Sequence, residues 1–249
     1  MDKLCNYTFA NQLEAKAICI HNMTELPEAL QQMGLQPKRP TLVLVGGASG
    51  IGSSDMTRLQ DLFVQVIAPL AQELQVAVVD GGTDAGIMRF IGQARTQIGG
   101  TFPLIGVAAV GTVILPDMPP PNSDAAPLEP NHTHFVLVPG SQWGDESPWI
   151  ARIATMVSEG FPSVTIVVNG GEITFQDVSN SVRADRPVVT LEGTGRTADK
   201  LAAAMRGEAT DGRAQELAAS GKMQAIVLSE HTAQLTEVIK QILSKLLHV

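Results

Sequence analysis

The sequence predicts an α/β fold: three layers, with a mostly parallel sheet and helices on both of its faces. Three observations carry that expectation. From about residue 41, short β-branched runs alternate with longer amphipathic stretches, as strands alternate with crossover helices in a parallel sheet. Three of those runs end in glycine-rich turns that lead into helical stretches, the usual form of a strand-to-helix connection. The alternation never resets into a second pattern, so residues 1–249 are expected to form one domain, with 1–40 as an N-terminal edge extension.

Each element has a local reason. Thr41 to Val45 is a strand that runs into glycines, and about Asp55 to Glu73 is helical, with Leu59, Leu62, Phe63, Val66 and Leu70 on one face. Pro69 is expected to bend or shorten the end of that helix. Val76 to Val79 is a strand, Asp84 to about Gln97 a helix, and Leu104 to Ala109 a strand. Residues 116–130 carry six prolines, which excludes a helix or inner strand. The segment is a long loop of the kind that covers a site, or alternatively a linker. Beyond it come a strand at His134 to Val138, a helix at Pro148 to Glu159, a strand at Val164 to Val168, a helix at Ile173 to Val182 and a strand at Val188 to Leu191. A helix from about Thr197, a short one near Arg213 to Ala219, a strand at Ala225 to Leu228 and a final helix from about Thr232 to Leu247 complete the order. The last helix carries Leu235, Val238, Ile239, Ile242, Leu243 and Leu246 at helical spacing, a stripe for core packing or for a seam between two copies in a homo-oligomer. In the first forty residues only Ala17 to Ile20 reads as a strand, at an edge.

Composition excludes several functions. A net charge of -8, with no basic block, argues against nucleic acid as a partner. The most apolar run, Leu104 to Leu115, is well short of the roughly 20 residues needed to span a bilayer. The N-terminal residues lack a hydrophobic signal core, so a cytoplasmic location is expected. Cys5 and Cys19 match no metal or redox spacing.

The glycine turns are the chemical signal. They are Gly46-Gly47-Ala48-Ser49-Gly50-Ile51-Gly52, Gly81-Gly82-Thr83-Asp84-Ala85-Gly86 and Glu192-Gly193-Thr194-Gly195-Arg196-Thr197. Such turns let backbone N–H groups approach an anion, and the following helix N-terminus adds partial positive charge. Three of them along one rim point to a phosphate-bearing ligand. The first resembles the cofactor loop of short-chain dehydrogenases, but those enzymes need a Tyr followed four residues later by Lys. Here the single tyrosine, Tyr7, is followed at that distance by Asn11. No P-loop and no Gly-x-Ser-x-Gly elbow occurs. His132 and His134 alternate, and on a strand both rings would share a face. Metal binding, ligand hydrogen bonding and structural hydrogen bonding all remain open for the pair, although zinc would need a third protein ligand.

Three segments together resemble the SLOG superfamily, in the branch shared by standalone prokaryotic proteins and the N-terminal region of melastatin-type TRP channels. They are Gly81-Gly82-Thr83-Asp84-Ala85-Gly86-Ile87-Met88, Asn131-His132-Thr133-His134-Phe135-Val136-Leu137-Val138 and Glu192-Gly193-Thr194-Gly195-Arg196-Thr197-Ala198-Asp199. The resemblance implies a Rossmann-like fold and a nucleotide-derived small-molecule ligand, ADP-ribose-like or another phosphate-bearing nucleotide, with no further cofactor and no metal. It implies that Arg196 meets the phosphates. It also makes Trp143, in Gly140-Ser141-Gln142-Trp143-Gly144-Asp145-Glu146, the aromatic near the base; the alternative for Trp143 is a loop anchor. The expected ligand contacts are Gly46, Gly47, Ala48, Ser49, Gly50, Gly81, Gly82, Thr83, Gly86, Trp143, Gly144, Glu146, Gly193, Thr194, Gly195 and Arg196.

A second SLOG branch contains phosphoribohydrolases with the hallmark Pro-Gly-Gly-x-Gly-Thr-x-x-Glu, whose glutamate assists N-glycosidic cleavage. Set against it, the Glu192 to Asp199 turn lacks the proline, has Glu in place of the first glycine and ends on Asp. An alternative function as a nucleotide N-glycoside hydrolase would draw its acid or carboxylate from Asp199, Glu192 or His134. Asp199 equally suits charge compensation in a first helical turn.

Overall fold

The structure is a computed structural model that describes residues 1–47, 50–228 and 232–244. Among them, nine strands form one sheet in the order β1-β2-β8-β5-β4-β3-β9-β10-β11. The strands are β1 (Cys5–Thr8), β2 (Glu14–Cys19), β3 (Thr41–Gly46), β4 (Ala77–Asp80), β5 (Leu104–Ala109), β8 (His134–Val138), β9 (Ser163–Val168), β10 (Val188–Glu192) and β11 (Met223–Val227). Every pairing is parallel except β1 with β2. A separate two-residue ladder joins β6 (Val113–Ile114) to β7 (Ala126–Pro127).

Strand alternation divides the core between the two faces. Val43 and Val45 of β3 pack on one side with Leu26 and Met33 of α1 (Leu26–Met33), Ile150 and Ile153 of α5 (Ser147–Ser158), Phe175 of α6 (Glu172–Arg183) and Leu201 of α7 (Arg196–Met205). Leu217 of α8 (Gly212–Ala218) joins them. Leu42 and Leu44 pack on the other side, with Leu59 of α2 (Ser53–Leu62), Leu70 of α3 (Ala68–Glu73), Ile87 and Phe90 of α4 (Gly86–Gln97), and Leu235 and Ile239 of α9 (Thr232–Ser244). The stripe of α9 is therefore core where it is described; Leu246 lies outside the described residues. All six residues of β5 are buried, as expected for a strand covered on both faces.

Two expectations need correction. Ala17 to Ile20 is not an edge strand: β2 pairs with β8 on one side and is covered on the other by β1, through a tight turn in which the Phe9 N–H donates to Leu13 O. Of the two outcomes expected for Pro69, shortening does not occur: the helix runs on to Glu73. A π-helical turn over Phe63–Ile67 joins α2 to α3, with the Ala68 N–H reaching back to Phe63 O. Pro69, the second residue of α3, follows that turn directly, so the regular α-helical ladder is already interrupted where its N–H is missing.

The topology defines a crevice. From β3 the chain builds β4, β5 and β8 to one side, then crosses to build β9, β10 and β11 on the other. The neighbours β3 and β9 thus form a topological switch point, and open sheets of this kind bind ligands outside the carboxyl ends of the strands there. The sheet closes tightly at this point. A Cβ on Gly46, whose φ is +123°, would lie 1.9 Å from Val168 O. Both atoms belong to paired strands, so neither can move aside. Gly46→Ala is expected to cost more than about 3 kcal/mol, from steric overlap added to backbone strain; urea unfolding within about 1 kcal/mol of the parent chain would refute this.

No helix among the described residues is long and apolar enough to cross a membrane.

Candidate functional site

Two adjoining cavities open at the switch point. The deeper, of about 390 Å³, is bordered by Gly46, Gly81, Thr83, Trp143, Glu146, Gly171, Asp177 and Arg196 over an apolar floor of Leu44, Val45, Ile150 and Ile173. The outer, of about 830 Å³, is bordered by Gly46, Gly47, Met56, Gln60, Thr83, Gly86, Arg89, Gln93, Ala126 and Trp143. Gly46, Thr83, Met88 and Trp143 border both.

The turns that frame the cleft are held from beneath. The second one rests on a buried network in which the Gly82 N–H donates to Asp80 Oδ1 (2.8 Å) and the Glu129 N–H donates to Gly82 O (2.9 Å). His132 is clamped between the two acids, with Nε2 2.9 Å from Asp80 Oδ1 and Nδ1 2.7 Å from Glu129 Oε2. Burial alone would strip its proton. The flanking carboxylates of Asp80 and Glu129 outweigh burial and push the imidazole up to about 9.

The third turn serves mainly to deliver Arg196. Thr194 is buried: its hydroxyl donates to Leu191 O and accepts the Asn169 N–H, while Asn169 Nδ2 donates to Thr194 O. The Thr197 hydroxyl donates to Gly171 O, 2.9 Å away. These bonds weld the β10 turn to the turn after β9. A Cβ built on Gly171 would meet Arg196 Nη2 at 3.0 Å, so the guanidinium lies across the start of α6. It has no hydrogen-bond or ion-pair partner among the described residues. A free cation beside a helix N-terminus is an arrangement suited to an anion.

The deep cavity also holds two carboxyl groups. Asp177 faces it one turn into α6, with Oδ1 accepting from the Ser147 hydroxyl at 2.5 Å. Burial pushes its pKa up to about 7, against the Ser147 bond and with help from Glu146. Both Glu146 oxygens accept the Gly144 N–H, and burial raises its pKa as well. Carboxyls perturbed by burial in a cleft are candidates for a functional role.

The expected contacts divide accordingly. Gly46, Gly47, Gly81, Thr83, Gly86, Trp143, Glu146 and Arg196 border the cleft. Gly82, Gly144, Gly193, Thr194 and Gly195 do not; they shape the turns that carry those residues. Gly50 is outside both linings, and Ala48 and Ser49 lie outside the described residues. The three expected acid–base groups stand away from the cavities. The Asp199 carboxylate accepts the Gly193 N–H at 2.7 Å, which closes the third turn, and Glu192 pairs with Arg206 at 2.5 Å. His134 is the first residue of β8, about 13 Å from the carboxyl end of that strand at about 3.3 Å per residue. Burial and Lys16 hold its pKa down at about 4. His132 precedes the strand, so the two histidines occupy separate surroundings. Among the described residues no three His, Cys, Asp or Glu side chains converge as a metal site.

Sequence reasoning missed the turn Asn169-Gly170-Gly171, with Asp177 and Ser147. A signal was present. The strand and helix around it were legible, and Gly170, Gly171, Thr174 and Asp177 reproduce the Gly-Gly-x-x-Thr-x-x-carboxylate spacing of the phosphoribohydrolase hallmark. Asn169 replaces its proline, Ile173 its third glycine and Asp its Glu. The carboxylate of this turn's helix, Asp177, borders the cavity.

Residues 39–237 match the profile of a family described as SLOG in TRPM, prokaryote. The chain belongs to that family. Its similarity to animal channels is weaker. It is 27% identical over 207 residues to mouse transient receptor potential cation channel subfamily M member 2, covering 69% of this chain and 14% of the channel. It is 25% identical over 210 residues to the subfamily M member-like 2 protein of Nematostella vectensis, covering 68% and 13%. With mouse subfamily M member 1 it shares 25% identity over 191 residues, covering 64% and 12%. This SLOG chain therefore spans about an eighth to a seventh of the length of those channels.

Proposed function

We propose that this SLOG protein binds a phosphate-bearing nucleotide derivative of the ADP-ribose class in the cleft at the switch point. The observation that carries this is Arg196: an unpartnered guanidinium held over the start of α6 inside the cavity. Phosphate oxygens would take the fork of Arg196 and the N–H groups where the Asn169-Gly170-Gly171 turn enters α6. Trp143, on the border of both cavities, would offer its ring to the base. Thermal-shift titration with AMP, ADP, NAD and ADP-ribose is the direct test. A saturating ligand at about 100 times its dissociation constant should stabilise the fold by about 2.7 kcal/mol. No rise in melting temperature with any of the four would exclude the reading.

A second reading rests on the carboxyl pair. Asp177 and Glu146 face the same cavity, and a nucleotide N-glycoside hydrolase needs a carboxylate to support charge at C1′ and a proton donor for the leaving base. Water would add to C1′, the glycosidic bond would break and the base would leave protonated. Chromatography after incubation with nucleoside monophosphates separates the two functions. Free base with ribose 5-phosphate indicates the hydrolase, and intact nucleotide the binding protein.

A further inference from the structure

We infer that Asp124 of the proline-rich loop sets the plane of the Trp143 ring, and so makes the cleft selective for ligands that carry an aromatic base without selecting which base. This rests on the nucleotide reading of the cleft and goes beyond it in naming what the site discriminates. Trp143 borders both cavities, so the setting of its indole shapes both. The indole has one donor, Nε1, and that donor is committed to Asp124 Oδ2 at 2.8 Å. Only the ring faces remain for a ligand. Stacking on such a face tolerates any base, because every base presents a π-surface.

Asp124 is exposed but well anchored. Its N–H donates to Asn122 Oδ1 at 2.8 Å, and Asn122 Nδ2 donates to Gly111 O at 2.6 Å. Two residues further on, β7 pairs with β6, and Pro127 O accepts the Asp84 N–H of the second glycine turn at 2.8 Å. Prolines at 116, 119, 120, 121, 127 and 130 restrict the loop's alternatives and lower the entropy lost in holding it. The backbone around Trp143 is fixed independently: the Ser141 and Gln142 N–H groups donate to Asp145 Oδ2, and the Gly144 N–H to Glu146. The indole itself is reached by one side-chain hydrogen bond, from its Nε1 to Asp124. Asp124 supplies that last restraint, which makes it a positioning residue.

The test compares the parent chain with Asp124→Ala, Asp124→Asn and Trp143→Ala by calorimetric titration. The probes are AMP and ADP-ribose as base-bearing ligands, with ribose 5-phosphate and inorganic pyrophosphate as base-free ones. Asp124→Ala should weaken the base-bearing pair about five- to tenfold and leave the base-free pair unchanged. Asp124→Asn should stay within about twofold of the parent, because its amide oxygen accepts the same hydrogen bond. In a Trp143→Ala background, Asp124→Ala should add nothing. Trp143 fluorescence, taken as the difference from a Trp143→Phe chain, should shift to the red in Asp124→Ala and not in Asp124→Asn. Equal weakening of both ligand classes, unchanged binding of both, or an Asn variant that behaves like Ala would overturn the inference while leaving the nucleotide reading intact. A parent chain that binds none of the four probes would overturn both.

Discussion

Arg196→Ala should weaken AMP and ADP-ribose about ten- to a hundredfold while leaving adenosine binding within about twofold. The size follows from losing hydrogen bonds to a charged group, at about 1.5–3 kcal/mol. The selectivity follows from placement. The guanidinium lies across Gly171 at the N-terminus of α6, where a phosphate would also meet the first N–H groups of that helix. Because the side chain has no partner within the described protein, its removal should shift the unliganded melting temperature by less than about 2 °C. Arg196→Lys should fall between the two, retaining charge but not the planar fork. Equal losses for adenosine and AMP would show that Arg196 shapes the cleft and does not meet phosphate.

The largest loss of stability is expected at His132. Replacement by Leu leaves Asp80 and Glu129 buried, facing one another without the intervening cation, and breaking one partner out of such a buried charged network costs about 3–5 kcal/mol. For a chain of this size the melting temperature should fall by on the order of 10 °C. The contribution depends on pH with a definite sign. The imidazole is raised from its ordinary 6.5 to about 9 in the folded chain, so its stabilisation is fully present below about pH 6.5 and is lost as pH rises through about 9. Unfolding measured between pH 6 and 10 should therefore show a decline in the parent chain that is missing from His132→Leu. Parallel pH curves would contradict the assignment. Because Gly82 is bonded to Asp80 and Glu129, the variant should also bind nucleotide more weakly even where it remains folded.

Most of the architecture could be read along the chain because its causes are local. The strands of the parallel sheet, such as Leu104–Ala109, are unbroken apolar runs, and the helices announce themselves by apolar spacing and flanking glycines. The failures share a physical origin. Residues 5–8 are largely exposed on a short edge strand, so β1 leaves no hydrophobic alternation to detect. Shortening at Pro69 was expected because proline lacks the N–H of a regular ladder, and nothing in the local residues announces the π-helical turn that precedes it.

For the site, residue types were legible and their meeting points were not. The glycine turns could be recognised as suited to an anion from chemistry alone, whereas Arg196 and Trp143 were singled out by the resemblance to the SLOG superfamily. Which carboxylate faces the cleft depends on strand order. Glu192 and Asp199 sit in the most motif-like turn but are consumed by Arg206 and the Gly193 N–H, whereas Asp177, in a helix to which no site residue was assigned, reaches the cavity because β9 lies beside β3. His134 shows the same dependence: in a parallel sheet all carboxyl ends share one rim, so the first residue of a strand is carried to the opposite one. Side-chain chemistry and element type are short-range properties written in neighbouring residues. The partners of a buried charge are set only when distant strands are brought side by side.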